Sequence, residues 1–217
     1  MAQKVGLFIA FEGSEGCGKS TQSHRVYLEL QKEGYDVAYT KEPGDTALGQ
    51  RIRDILLTKD NEIKRLNEIA ELLLFEADRA QHVEQVIKPA LMLKKIVICD
   101  RYNAATFAYQ GYGLGIDLDL IKRIDDAATG GLSPDLTVIM DVDVKTGLER
   151  AGHTGLMDRM EKRELEFHQK VRKGYLDLAE RSPENIKVIE VKNGIEETYK
   201  EVKEKVYDIV AKYKGSE

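Results

Sequence analysis

Near the start of the chain, Gly13-Ser14-Glu15-Gly16-Cys17-Gly18-Lys19-Ser20 stands between an apolar run at Val5–Phe11 and a stretch of helical periodicity at Thr21–Gln31. The segment fits G-x-x-x-x-G-K-[ST], and no other feature constrains the fold as much. Its glycines let the backbone fold until successive N–H groups point at one anion, and a helix that follows adds the positive end of its dipole. A chance match would arise on the order of once per hundred chains of this length. The flanking strand and helix signals reduce that further, so the segment is read as a phosphate-binding loop.

Short apolar runs of strand length recur at Val5–Phe11, Val37–Thr40, Ile96–Cys99, Leu136–Met140 and Val188–Val191, separated by helical segments. Parallel strands need long crossovers, and helices are the usual crossover. The pattern predicts an α/β fold with a mainly parallel sheet of five strands and helices on both faces, and it places ligands beyond the carboxyl ends of the strands. The chain of 217 residues reads as one domain, 1–217, with no internal repeat or linker to divide it. The stretch 66–93 is expected to be a core helix, with Ile69, Leu72, Leu73, Ala77, Ala80 and Val83 on its inner side and a break near Pro89. The run RAGHTGLMDR has two glycines and no period, which predicts a flexible lid at about 150–160.

Charge and cysteine content exclude several classes. A net charge of −5 offers no basic surface to hold nucleic acid by counterion release, so no nucleic-acid partner is expected. Two cysteines, Cys17 and Cys99, cannot build a disulfide framework in a chain of this size, which predicts a reducing, cytoplasmic setting. The opening MAQKVGLFIAFEG lacks the pattern of a cleaved signal, and no apolar run approaches the roughly 20 residues of a membrane span. No membrane association is expected.

The strand ends carry the chemistry. In the loop 13–20, backbone N–H groups would cradle the phosphates of ATP, Lys19 would neutralise the β- and γ-phosphates, and Thr21 opens the helix. Ser20 would offer a hydroxyl to Mg²⁺, completed by water, phosphate oxygens and a carboxylate at a nearby strand end such as Asp100. No N-K-x-D guanine signature is present. Arginines stand instead at well-separated strand and helix ends, which suits transfer between two phosphorylated molecules whose crowded negative charge must be neutralised. Arg101 follows Asp100 and is placed to grip an acceptor phosphate or to pair with a carboxylate near it. Arg150, Arg159 and Arg163 flank or occupy the lid.

The segments FEGSEGCGKST at 11–21, KEPGDT at 41–46, LLLFEADRAQH at 72–82, DRYNAATFAYQG at 100–111 and DRMEKRELEFHQKVRKGYLDLAE at 158–180 occur in an order that resembles the thymidylate kinase family over nearly the whole chain. The resemblance implies a P-loop nucleoside-monophosphate-kinase-like three-layer sandwich with a short lid, acting as an ATP-dependent kinase that converts dTMP to dTDP. It implies that Phe75 stacks on thymine while Arg79 bonds the base edge, and residues four apart on a helix share a face, so ring and guanidinium can meet one base. Thr106 and Gln110 match positions facing the pyrimidine edge, and Tyr109 a tyrosine that crowds the sugar 2′ position. Glu15 matches a carboxylate near the sugar 3′-hydroxyl and, in some members, the metal.

Arg53 and Arg101 match arginines around the acceptor phosphate, with Arg51 an alternative to Arg53. Gly16 stands where some members carry an arginine, which implies the bacterial subclass whose catalytic cation comes from the lid, either Arg150 or Arg159. His153 also falls in that lid. The adenine loop corresponds to 191–194, including Asn193, and the family forms homodimers, for which the apolar faces of 66–93 and 49–58 are available.

Two rival readings remain. A deoxynucleoside kinase has a hydroxyl acceptor that needs a general base, and Glu12 is placed to serve. A nucleotide-binding switch would bind without transfer.

Overall fold

The computed structural model describes residues 6–57, 66–152, 159–161, 163–191 and 194–214. Five parallel strands, β1 (Leu7–Gly13), β2 (Val37–Lys41), β3 (Ile96–Asp100), β4 (Leu136–Asp141) and β5 (Ile186–Glu190), form a single sheet in the order β2-β3-β1-β4-β5. Leu7 of β1 pairs with Ile96, and Ile9 with Leu136. The central strands β1 and β3 are buried along their full length, as expected of parallel strands covered on both faces. The edge strands β2 and β5 are half-exposed. The expected strands are all present, but β1 runs on to Gly13 and β5 starts at Ile186, earlier than its apolar run suggests.

The helices are α1 (Lys19–Lys32), α2 (Ala47–Leu56), α3 (Glu68–His82), α4 (Lys88–Met92), α5 (Asn103–Thr106), α6 (Leu118–Thr129), α7 (Val144–Gly152), α8 (Leu165–Arg181) and α9 (Ile195–Lys214). Alternation along β1 sorts the core. Leu7, Ile9 and Phe11 pack with Val26 and Leu30 of α1 and with Val202, Val206 and Val210 of α9. Phe8 and Ala10 face the other way, against Val83, Ile87, Leu91 and Tyr102. A third cluster joins Ala104, Ala108 and Tyr109 to Phe167, Val171 and Tyr175 of α8. The result is a three-layer sandwich in which the loops after β1, β2 and β3 open side by side.

The long segment 66–93 departs from expectation in two ways. Pro89 does not break it: helical backbone continues from Glu68 to Met92, with a π-helical turn at Val83–Ile87 immediately before the proline-bearing turn, where a missing N–H is tolerated. Its inner face is also not the apolar stripe. Leu72 and Val83 are buried, but Ile69, Leu73 and Ala77 are exposed, and the buried positions are Glu71, Glu76, Asp78, Arg79 and His82. This face packs on charged partners from other elements, so apolar periodicity could not mark it. A second π-helical stretch, Phe107–Gly113, continues α5.

Candidate active site

A cavity of about 460 Å³ opens at the carboxyl ends of β1, β2 and β3. One side is the phosphate loop. Gly18 caps α1 in the left-handed conformation, with φ 83° and no side chain to occupy the first N–H groups, so the helix end faces outward as an anion site. Gly16 also has positive φ, and a Cβ there would lie 1.9 Å from the Gly147 carbonyl oxygen of α7. A side chain at this position is therefore incompatible with how α7 packs on the loop, which gives a physical reason for glycine at position 16. Cys17 is buried beside Gly13, so its thiol is part of the loop's packing. Lys19, Ser20 and Asp100 line this side together. Ser14 is buried in the loop and Thr21 is exposed on the first turn of α1.

Between the phosphate loop and the far wall stands Arg101. Its φ of 73° is unusual for a residue with a side chain and is held by the bond from its N–H to the Phe11 carbonyl. Nη1 donates to the Gly13 carbonyl and the Tyr175 hydroxyl, each at 3.1 Å. Nη2 donates to Glu15 at 2.8 Å and to the Tyr109 hydroxyl at 3.3 Å. Tyr109 in turn donates to the same Glu15 oxygen at 2.5 Å. Arg101 thus pairs with Glu15 and not with its neighbour Asp100, and it still lines the cavity.

Two glutamates beside this guanidinium behave oppositely. Burial pushes the Glu12 carboxyl up to about 7, although Arg101 and hydrogen bonds from Tyr102 N–H, Tyr175 OH and Ala105 N–H oppose it. Burial also works against ionisation of Glu15, but Arg101, Lys19 and the Tyr109 hydroxyl outweigh it and hold that carboxyl at about 2. Glu12 is fully buried, committed to Tyr102, Ala105 and Tyr175, and is not among the residues that line the cavity. It anchors the turn that carries Arg101, which removes the support for a general base at that position.

The far wall is built on α3 and the segment after Tyr102. Phe75 is half-buried and lines the cavity, so it is not a core ring. Arg79 is 2% exposed and lies 5.5 Å from the Tyr102 ring centre. Its Nε donates to Glu42, Nη1 to Glu76 and to Thr106, and Nη2 to the Tyr102 carbonyl. Burial opposes its charge, yet Glu76, Glu42 and Asp125 hold its pKa well above the ordinary arginine value. Gln110 donates from Nε2 to Glu71 at 2.9 Å. Because a carboxylate only accepts, this bond fixes which end of the amide is committed. Arg53 donates to the Pro43 carbonyl at 2.8 Å and lines the cavity, whereas Arg51 is exposed.

The arginines at the expected lid fall differently. Arg159 donates to the Leu56 carbonyl and, at 2.5 Å, to Glu71; it is not among the cavity-lining residues, whereas Met160 and Glu161 are. Arg163 also reaches Glu71, at 3.0 Å. Arg150 is half-buried in the last turn of α7. His153 and Asn193 lie outside the described residues. Sequence reasoning missed Tyr39, Glu42, Glu71 and Tyr175. Glu42 and Glu71 lie in or beside segments already singled out, but a glutamate on a helix or loop reads as solvated until its partners are known.

A phosphate loop at the head of a five-stranded parallel sheet, facing a second wall of aromatic and arginine side chains across one cavity, defines a P-loop kinase of the nucleoside monophosphate class. The thymidylate kinase family model matches residues 11–202. A thymidylate kinase from Nostoc sp. is 46% identical over 201 residues, covering 92% of this chain and 94% of its own. One from Desulfovibrio desulfuricans is 47% identical over 191 residues, covering 85% and 87%. The crystal structure of a thymidylate kinase from Ehrlichia chaffeensis superposes with a TM-score of 0.76 at 36% identity, covering 93% of this chain and 98% of that one. The chain belongs to the thymidylate kinase family.

Proposed function

We propose that this cavity is where the enzyme, an ATP-dependent dTMP kinase, transfers the γ-phosphoryl group to dTMP and forms dTDP. The observation that carries the reading is that the phosphate loop, Arg101 and the Phe75–Arg79 wall line a single cavity. ATP lies along 13–21, with Lys19 against its terminal phosphates. The base of dTMP stacks on Phe75, its edge meets Arg79, Thr106 and Gln110, and its sugar lies by Tyr109 and Glu15. Arg53 and Arg101 hold its phosphate. No general base is needed, because a monophosphate oxygen is already ionised near neutral pH.

Mg²⁺ fits the donors present. A serine hydroxyl at Ser20 and a carboxylate at Asp100, both hard oxygens on the same side of the cavity, suit an ion that keeps most of its water. When bound, the ion shields charge between the phosphates. Glu15 has one oxygen taken by Arg101 and Tyr109, which favours it as the anchor of Arg101 over a metal ligand. Lid closure excludes water and brings in a cation. The hold of Glu71 on Arg159 favours Arg150 as that cation, with Arg159 fixing the base of the lid.

The exposed apolar side chains Leu48 and Ile55 of α2 and Ile69 and Leu73 of α3 support a homodimer through these two helices. Both cysteines are free and buried, which supports a reducing, cytoplasmic setting. Among the described residues no helix is long and apolar enough to cross a membrane. The acidic net charge supports the absence of a nucleic-acid partner.

An ADP-release assay with ATP·Mg²⁺ and dTMP, dUMP, dCMP, AMP or thymidine tests the reading. Selective turnover of dTMP is expected, with a fall on the order of a hundredfold in kcat for Arg150→Ala and a smaller one for Arg159→Ala. Turnover of thymidine in place of dTMP would overturn it.

A further inference from the structure

Within and behind the far wall, three side chains that phosphoryl transfer does not use form one buried chain of hydrogen bonds. Thr40 at the end of β2, Glu42 in the following loop and His82 at the end of α3 are at most 6% exposed. His82 Nδ1 meets Glu42 Oε1 at 2.8 Å, and its Nε2 meets Thr40 Oγ1. Thr40 donates its hydroxyl proton to Asp45, so its oxygen is left to accept from Nε2–H. Glu42 accepts at Nδ1, and its second oxygen accepts from Arg79 Nε at 2.9 Å. Both ring nitrogens are thus engaged, and one carboxylate separates the imidazole from the guanidinium. Glu42, His82 and Cys99 also approach within 4.8 Å of one another. Hydrogen bonding already engages this trio, since the Cys99 thiol donates to the Arg101 carbonyl and both imidazole nitrogens are used.

Arg79 needs that support. Its bonds to Glu42, Glu76, Thr106 and the Tyr102 carbonyl leave one N–H, on Nη2. On the other side Asp125 Oδ1 lies 3.8 Å from Nη1 and has no hydrogen-bond partner of its own among the described residues. Without Glu42 on Nε, the guanidinium would swing toward Glu76 and Asp125. The angle of the remaining N–H thus depends on Glu42, and the place of Glu42 depends on His82.

We propose that His82 is a positioning residue for base discrimination: through Glu42 it fixes Arg79 so that the remaining N–H meets the 4-oxygen of a pyrimidine and rejects a 4-amino group. The inference rests on the reading of Arg79 as the group at the base edge. A donor held at one angle bonds an acceptor oxygen and is left facing another donor when the base is cytosine, and such polar mismatches are what a binding site discriminates best.

The experiment is to measure kcat/KM for dTMP and dCMP, KM for ATP, and Tm, in His82→Gln, His82→Asn and Arg79→Lys. An asparagine keeps a polar atom near the Nδ1 position and so retains the hold on Glu42; a glutamine keeps one near Nε2. His82→Gln should raise KM for dTMP and lower the dTMP to dCMP ratio, each on the order of tenfold, with KM for ATP within about twofold of wild type. His82→Asn should recover most of the ratio. A proportional fall for both nucleotides, or a matching change in KM for ATP, would overturn the inference. Should His82→Gln fail to fold, Thr40→Val removes the support at Nε2; a lowered ratio supports the inference and an unchanged one overturns it. A dTMP preference that survives Arg79→Lys would sink the base-edge reading itself. A preference lost in Arg79→Lys but kept in folded His82→Gln would sink only the role of His82.

Discussion

The two sides of the cavity are built in opposite ways. The proposed donor side is one continuous segment, residues 13 to 21, whose backbone N–H groups and helix end supply the positive potential and whose Lys19 and Ser20 stand open to the cavity. The proposed acceptor side is assembled from β2, α2, α3, α5 and the turns after them, and its central cation is sealed among Glu42, Glu76 and Asp125. Backbone donors need no counter-charge and tolerate solvent. A buried guanidinium does need one, and each carboxylate that supplies it must then be held in place. On the donor side, then, chemistry and stability are separable, whereas on the acceptor side they are coupled.

Replacing Lys19 should show the separation most strongly. Lys19→Ala should lower kcat by about 10⁴-fold, near 5 kcal/mol of transition-state stabilisation, with Tm unchanged. A large fall in Tm would break the comparison. On the other side Arg79→Ala leaves Glu42, Glu76 and Asp125 without their shared cation, and an unpaired buried charge costs about 3–5 kcal/mol. Urea unfolding should show a loss near 4 kcal/mol in the absence of nucleotide, and a loss below about 1 kcal/mol would mean that the far wall is not held by this ion pair.

Glu12 and Glu15 sharpen the comparison, because both face Arg101 with opposite titrations. The folded pKa of Glu12 is raised to about 7, so its contribution to stability is fully present below the unfolded value near 4.5 and is lost as pH rises through 7. Glu15 is held at about 2, so its contribution is present above 4.5 and is lost as pH falls toward 2. Each shift corresponds to about 3 kcal/mol. Relative to wild type, Glu12→Gln should gain about that much between pH 4.5 and 8. Glu15→Gln should show a deficit of similar size at pH 7 that narrows below 4.5. Denaturant unfolding across this range checks both, and parallel profiles for the two variants would refute the assignment. The smallest expected effect concerns the outer face of α3, away from the cavity. Leu73→Glu on the exposed face of α3 should change the stability of one chain by less than about 0.5 kcal/mol while converting the proposed dimer to a monomer by light scattering.

Legibility in the sequence follows the same division. The five strands and the phosphate loop could be read directly, because each is a property of a few consecutive residues: an apolar run, a pair of glycines, a Lys-Ser pair. The stripe Ile69, Leu73 and Ala77 was expected inside but lies outside. Glu71, Asp78 and His82 occupy the buried face because their partners come from Arg159, Arg163, Gln110, the Gly44 N–H, Thr40 and Glu42. A period counts residue types along one helix and carries no information about charges brought in from elsewhere.

By itself, then, the sequence determined that the chain forms a parallel sheet with an anion-binding loop at its head, since backbone geometry and the helix dipole are set locally. Resemblance in several spaced segments added the acceptor. Only the tertiary structure decided that Arg101 pairs with Glu15, that Arg53 and not Arg51 lines the cavity, that Arg159 is tied to Glu71, and that Glu12 is an anchor. The reason is that the role of an ionisable group depends on its burial and on the charges within a few ångströms, and in this fold those charges come from residues far away in the chain.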